Sequence, residues 1–190
     1  MEENTDANTD QNGDIWVFGY GSLLWNPGFE PAEAVQARLA GFARSFCMWS
    51  IHHRGSEEEP GLVLALDADE GAVCDGVAFR LPRDGQADVL AMLRERELIS
   101  SAYLEQIVTL ALTDGRSVPA LAYIINRDHV QYTGAMSLDR QADVIAHAVG
   151  GRGPNSEYLY NTAAHLAEIG IADPEMEALA ARVRAIAGAA

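Results

Sequence analysis

Residues 15–25 read IWVFGYGSLLW. Ile15 to Phe18 is a short apolar run without alternation, which reads as a buried strand, and Gly19 and Gly21 break it. Two glycines around one tyrosine at a strand end permit backbone angles that gather successive N–H groups into a concave nest. Such a nest suits a carboxylate or an oxyanion, and Ser22 adds a hydroxyl donor beside it. An ordinary tight turn accounts for the same residues and, on physics alone, is slightly the better reading. Two named motifs fail here: Leu24 stands where GxGxxG needs its third glycine, and it also defeats GxSxG.

Downstream, Pro27 and Gly28 close this segment, and Val35 to Ile51 is strand-like in part, with Phe42, Phe46 and Trp49 along it. His52 to Pro60 is a polar loop. Gly61 to Leu66 and Val73 to Leu81 read as two strands joined by the acidic turn DADEG. Val89, Leu90 and Leu93 have helical spacing, predicting a helix over 86–98 with Asp84 as its start signal. Ile107 to Leu112 and Val118 to Ile125 read as a hairpin turned at Asp114-Gly115, with Pro119 placing the second strand at an edge or delaying its start. Three helices follow. Ser137 caps one through Val149, Asn155 caps another stopped at Gly170, and Asp173-Pro174 starts the third, through Val183. Strands, a helix, a hairpin and then helices make an α+β chain, with a mainly antiparallel sheet or small barrel packed by helices.

The chain has 190 residues, 48% of them hydrophobic, which suits one domain with a sizeable core. Residues 1–13, MEENTDANTDQNG, are expected to form a disordered acidic tail, followed by a single domain over 14–190. They lack the basic start and apolar stretch of a signal peptide, and no apolar run reaches the roughly 20 residues of a membrane span. A cytoplasmic protein is expected. The net charge of −15 repels phosphate backbones and anionic lipid, excluding nucleic acid and membrane as partners. An anionic ligand would therefore need local donors to overcome the global field.

All basic residues are arginine; the absence of lysine removes P-loop, Schiff-base and Ser-Lys chemistry. Cys47 and Cys74 are far apart in sequence and read as small buried hydrophobes. The five histidines form no HxH, HxxxH or HExxH set, so no metal site is expected.

Three further clusters carry chemistry. Arg94-Glu95-Arg96-Glu97 lies at the end of the predicted helix, where successive positions differ by about 100°. Glu95 and Glu97 therefore cannot share a face: one carboxylate meets solvent while the other turns inward. A solvated, internally paired charged face is the better reading of an arbitrary RERE run; a partly buried carboxylate is the alternative, able to shuttle protons. Arg54, in SIHHRG, either holds a carboxylate bidentately or lies on the surface beside Glu57, Glu58 and Glu59. Tyr158, after GPNSE, either reaches a pocket or packs.

FGYGSLLWNPGF (18–29), SIHHRG (50–55), PGLVLAL (60–66), RELISSAY (96–103) and GPNSEYLYNT (153–162) together resemble, in order, the ChaC family of glutathione-specific γ-glutamylcyclotransferases. The resemblance implies a small β-barrel with flanking helices and cleavage of glutathione to 5-oxoproline and cysteinylglycine, without cofactor, metal or obligate protein partner. It implies that Tyr20, Gly21, Ser22 and Leu23, led in by Val17, Phe18 and Gly19, cradle the γ-glutamyl group. The family's catalytic glutamate lies in an arginine-glutamate pair six residues before a tyrosine; counting back from Tyr103 gives Glu97. Arg54, Tyr103 and Tyr158 are secondary binding candidates. Family members often carry paired glycines where Ser101-Ala102 stand here. The rivals are cyclisation of other γ-glutamyl amino acids or amines, a non-catalytic γ-glutamyl-peptide binding module, and a Ser22- or Cys47-based hydrolase.

Overall fold

The computed structural model describes residues 8–189. They form two compact units: one from residues up to Arg44 and from Leu66 to Asn126, the other from Ser45 to Ala65 and from Arg127 onward.

Most of the first unit belongs to a closed five-stranded barrel, two of whose strands also include residues of the second unit. The barrel strands are β1 (Trp16–Gly19), β2 (Glu33–Ser50), β3 (Gly61–Arg80), β4 (Tyr103–Leu112) and β5 (Ser117–Ile125), in the order β1-β3-β2-β4-β5. Pairing is mainly antiparallel. β1 runs against β3 with Val17 opposite Phe79, and β4 against β5 with Tyr103 opposite Ile125. Parallel bridges from β5 to β1 (Val17 to Leu121) and to β3 (Leu66 to Ile124) close the ring.

The two-residue period of a strand divides these side chains between two faces. Val17, Leu121 and Tyr123 lie on one face, and helix α1 (Gln86–Glu97) covers them with Val89, Leu90 and Leu93. Leu93 is fully buried, contributing about 1.5–3 kcal/mol on the usual scale for such a side chain. This contact fixes α1 along the wall of the barrel and sets where its last turn ends.

Several expectations are corrected. DADEG is not a turn: β3 runs unbroken through it, with Asp69 and Glu70 facing solvent and the Asp69 carboxylate accepting from the Gly71 N–H. β5 begins before Pro119, which is tolerated because the bridges to β1 and β3 fall beyond it, at Leu121 and Ile124. Asp84 does not cap α1; the capping position is Gly85, at φ 77°. Residues 1–7 of the expected tail lie outside the described residues, but 8–13 are folded back. Asp10 accepts from the N–H groups of Asn12 and Asp14 and from the Trp16 indole.

The second unit holds α2 (Leu138–His147), α3 (Asn155–Glu168) and α4 (Pro174–Ala189), with a short strand pair, β6 (Val149–Gly150) and β7 (Gly153–Pro154). Ser137 caps α2 as expected, and the Asp173 carboxylate caps α4. α2 stops at His147 rather than Val149, because the chain leaves to form β6. Asn155 is not a cap. Its fully buried amide instead receives the Leu62 N–H and donates to the Leu62 carbonyl, both at 2.7 Å. Close by, a Cβ on Gly150 would strike the backbone of His53, Arg54 and Gly55. The SIHHRG stretch therefore crosses the chain closely at Gly150, while GPN meets the start of β3 at Leu62.

Candidate active site

β1 ends at Gly19, where a Cβ would stand 2.6 Å from the Phe79 ring; only glycine fits. The chain then enters a single 3₁₀ turn, Ser22–Leu24, closed by Leu24 N–H to the Gly21 carbonyl and Asn26 N–H to the Ser22 carbonyl. The first amides of such a turn have no acceptor within it, which makes them candidate donors to a ligand. The turn is held on several sides. The Tyr20 hydroxyl donates to the Tyr123 carbonyl at 2.8 Å. The Tyr20 carbonyl accepts from Arg44 Nη1 at 3.0 Å, and the same nitrogen donates to the Asp75 carbonyl at 2.9 Å. Leu23 is buried in the cluster beneath α1, whereas Ser22 stays partly exposed.

α1 brings the carboxylate. Glu97 is its last residue, and the expected division of the two glutamates is present: Glu95 is exposed, while the Glu97 side chain is 15% exposed. Arg96 connects Glu97 to the turn. Its Nε lies 3.1 Å from Glu97 Oε1, Nη2 donates to Ser22 Oγ at 2.8 Å, and Nη1 donates to the Asn26 carbonyl at 2.7 Å. The local cations that a strongly acidic chain needs beside an anion site are therefore present.

β4 and β5 supply the wall behind Glu97. Tyr123 is buried, and its hydroxyl donates to Glu105 Oε2 at 3.3 Å. Glu105 in turn accepts a two-pronged donation from Arg94. Burial, then the nearby Glu105 and Glu97 carboxylates, hold the Tyr123 phenol well above its ordinary pKa. It therefore stays protonated and acts as a neutral donor. Tyr103 packs, half-buried, against the same apolar cluster. Between Glu97 and Tyr103, Ser101 adopts φ 56°, left-handed backbone that costs a non-glycine residue about 1 kcal/mol or more.

Thus Val17 to Leu23, Glu97 and Tyr103 all belong to the barrel unit, and Arg96 ties the Ser22 turn to Glu97. Arg54 and Tyr158 belong to the other unit, where their polar atoms have structural partners. Arg54 Nη1 donates to the carbonyls of Arg152 and Pro154, its guanidinium lies over the Tyr158 ring, and Glu157 is 3.7 Å away. Tyr158 packs edge-on against Phe46, and its hydroxyl accepts from Leu64 N–H. Sequence reasoning missed Arg96, Arg44, Tyr123 and Glu105 as parts of the assembly. Arg96 stood in the quoted RERE run, whereas nothing in the sequence marked Arg44 or Tyr123. Among the described residues, no group of three His, Cys, Asp or Glu side chains could hold a metal ion, and no helix is long and apolar enough to cross a membrane.

A family model for ChaC-like proteins matches residues 15–186. The chain belongs to the ChaC-like family. Among relatives of this ChaC-like chain is the glutathione-specific γ-glutamylcyclotransferase of Escherichia coli K12, 37% identical over 172 residues, 90% of this chain and 74% of that one. Another is γ-glutamylcyclotransferase 2-3 of Arabidopsis thaliana, 34% identical over 178 residues, 90% of this chain and 89% of its own. Among solved structures, a γ-glutamyl cyclotransferase from yeast, specific to glutathione, superposes with a TM-score of 0.81 at 26% identity. That match covers 90% of this chain and 96% of the yeast one. The ChaC-like chain therefore has the expected α+β fold of a small barrel with flanking helices.

Proposed function

We propose that this chain is a glutathione-specific γ-glutamylcyclotransferase, a lyase-type enzyme that converts glutathione to 5-oxoproline and cysteinylglycine. The observation that carries the reading is the Arg96 guanidinium, which joins the inward-turned Glu97 to the glycine turn at Ser22. A proton-transfer group and a cradle of candidate donors are thereby part of one assembly. The names of the bacterial and yeast relatives supply the substrate class.

In this mechanism the donors of the Tyr20–Leu23 turn hold the glutamyl carboxylate or the γ-carbonyl oxygen. Holding the glutamyl arm folded brings its own α-nitrogen to the γ-carbon, an orientation effect worth several kcal/mol. Glu97 takes a proton from the α-ammonium, freeing the lone pair that attacks. The new C–N bond closes the five-membered lactam, and the bond to the cysteine nitrogen breaks. Of the ammonium's protons one stays on the lactam nitrogen, and the others pass by way of Glu97 to the departing amine. The balance is complete without metal or nucleotide.

The reading treats residues 14–190 as one functional domain, supported by a family match that runs through both compact units. A cytoplasmic setting belongs to the same reading, supported by Cys47 and Cys74, which are buried thiols not joined in a disulfide. Incubating the purified protein with reduced glutathione and following products by mass tests it. Equimolar 5-oxoproline and cysteinylglycine are expected. Turnover of other γ-glutamyl amino acids or amines in place of glutathione would move the assignment to a sister activity, and tight binding without products would leave a binding module.

A further inference from the structure

The Arg96 side chain is only 17% exposed: it donates hydrogen bonds to a hydroxyl and a backbone carbonyl, and its Nε lies in ion-pair contact with Glu97 Oε1 at 3.1 Å, without hydrogen-bond geometry. A guanidinium is a rigid planar fork, so it fixes the positions of its partners relative to one another as lysine would not. Its effect on Ser22 is directional. A hydroxyl that accepts from Arg96 Nη2 keeps its own proton for a different neighbour and turns that proton away from the cation. Ser22 opens the turn, so a hydroxyl proton directed away from Arg96 is a donor beside the turn's first amides.

We infer that Arg96 is a positioning residue of the reaction, holding the Glu97 carboxylate in register with the turn and presenting the Ser22 hydroxyl as a donor to the γ-glutamyl group. The inference rests on the cyclotransferase reading for its substrate. The other groups packed about Glu97 have contacts of their own. On its own helix Arg94 forks onto Glu105; from β5 Tyr123 is a neutral phenol; from β4 Glu105 is an anion and Tyr103 packs in the apolar cluster. The alternative is a passive strap, tying the end of α1 to the turn at Asn26.

Four variants separate the two roles: Arg96→Gln, Arg96→Lys, Ser22→Ala and the double Arg96→Gln/Ser22→Ala, each assayed with glutathione across pH. Removing the cation beside Glu97 favours its protonated form. In Arg96→Gln the acid limb of the kcat profile is therefore expected about one pH unit higher, with kcat falling more than KM rises. Arg96→Lys restores the limb, because it keeps the charge, but not the Ser22 effect. Ser22→Ala impairs the wild type and adds nothing in the Arg96→Gln background, the non-additivity of directly coupled groups. An unmoved acid limb together with additive losses overturns the inference and leaves the strap. Should Arg96→Gln fail to fold, Arg96→Lys carries the test with Ser22→Ala, the loss of coupling being decisive. Should the wild type release no 5-oxoproline, the cyclotransferase reading fails by itself. The inference is then judged by NMR titration of the Glu97 side-chain carboxyl, where equal midpoints in wild type and Arg96→Gln refute it.

Discussion

Replacing Asn155 by leucine removes both hydrogen bonds to the Leu62 backbone at little change in volume. Asn155 and Leu62 are each fully buried, and the two bonds are 2.7 Å long. The substitution leaves one N–H and one carbonyl orphaned in a water-excluded place. Each such group costs about 1–3 kcal/mol, so a loss of about 2–6 kcal/mol is expected. For a chain of this size 1 kcal/mol lowers Tm by about 2–4 °C, giving a fall of about 4–24 °C. Circular dichroism on heating, with urea unfolding as the second measure, reads the effect directly. Ser156→Ala, the next residue in the same motif, is the control and is expected within about 0.5 kcal/mol of wild type. At temperatures where Asn155→Leu stays folded, its turnover of glutathione is expected near normal. A stability loss below about 1 kcal/mol, or a folded variant without turnover, would refute the view that GPN is a structural clamp.

Glu97→Gln keeps shape and removes the base, so turnover is abolished in a folded protein, while Glu95→Gln, on the solvent face, matters far less; equal losses would sink the assignment. Glutathione acetylated on its α-amine is expected to be inert, and reaction in heavy-oxygen water to give 5-oxoproline free of the label; labelled glutamate would instead promote a Ser22 or Cys47 hydrolase. A chelator leaves the rate unchanged, since neither the proton transfers nor the donors of the turn use an ion; restoration only by a divalent cation would contradict this. Burial opposes the Asp10 carboxylate, but the Trp16 indole, the Asp14 and Asn12 amides and Arg80 together hold its pKa below 3.8. Its contribution to the N-terminal turn is present above that value and lost as pH falls through the lowered one. The Trp16 indole N–H resonance should therefore shift only in strong acid, and a shift near pH 5 would show the linkage wrong.

What was legible in the sequence was whatever local pattern controls. Ile15 to Phe18 and Val118 to Ile125 read as strands because unbroken apolar runs have few other uses, and Val89, Leu90 and Leu93 exposed the inner face of α1 before any packing was known. DADEG misled because charge and glycine mark turns on average, whereas on the solvent face of a long barrel strand the same residues continue the strand. Asn155 misled likewise: an asparagine at a helix start usually caps, but here its amide matches a distant buried peptide group. For the site, two glycines around Tyr20 announced a special turn, and helical geometry separated Glu97 from Glu95. The supporting groups were hidden, because their contacts are long-range: 24 residues separate Arg44 from Tyr20, and 103 separate Tyr20 from Tyr123. No periodicity reports on such distances.

β2 and β3 each start in one compact unit and finish in the other, so neither unit is a continuous piece of chain. A protease cutting after Asn126 would free a helical fragment lacking residues 45–65, and with them the Leu62 peptide group that Asn155 grips. Such a fragment has no strand end to fold against, and the remainder carries two strand tips without their helices. Dissection into independently expressed halves is therefore expected to yield insoluble pieces. Insertions and fusions will be tolerated at exposed bends such as Asp114-Gly115, where no strand passes from one unit to the other.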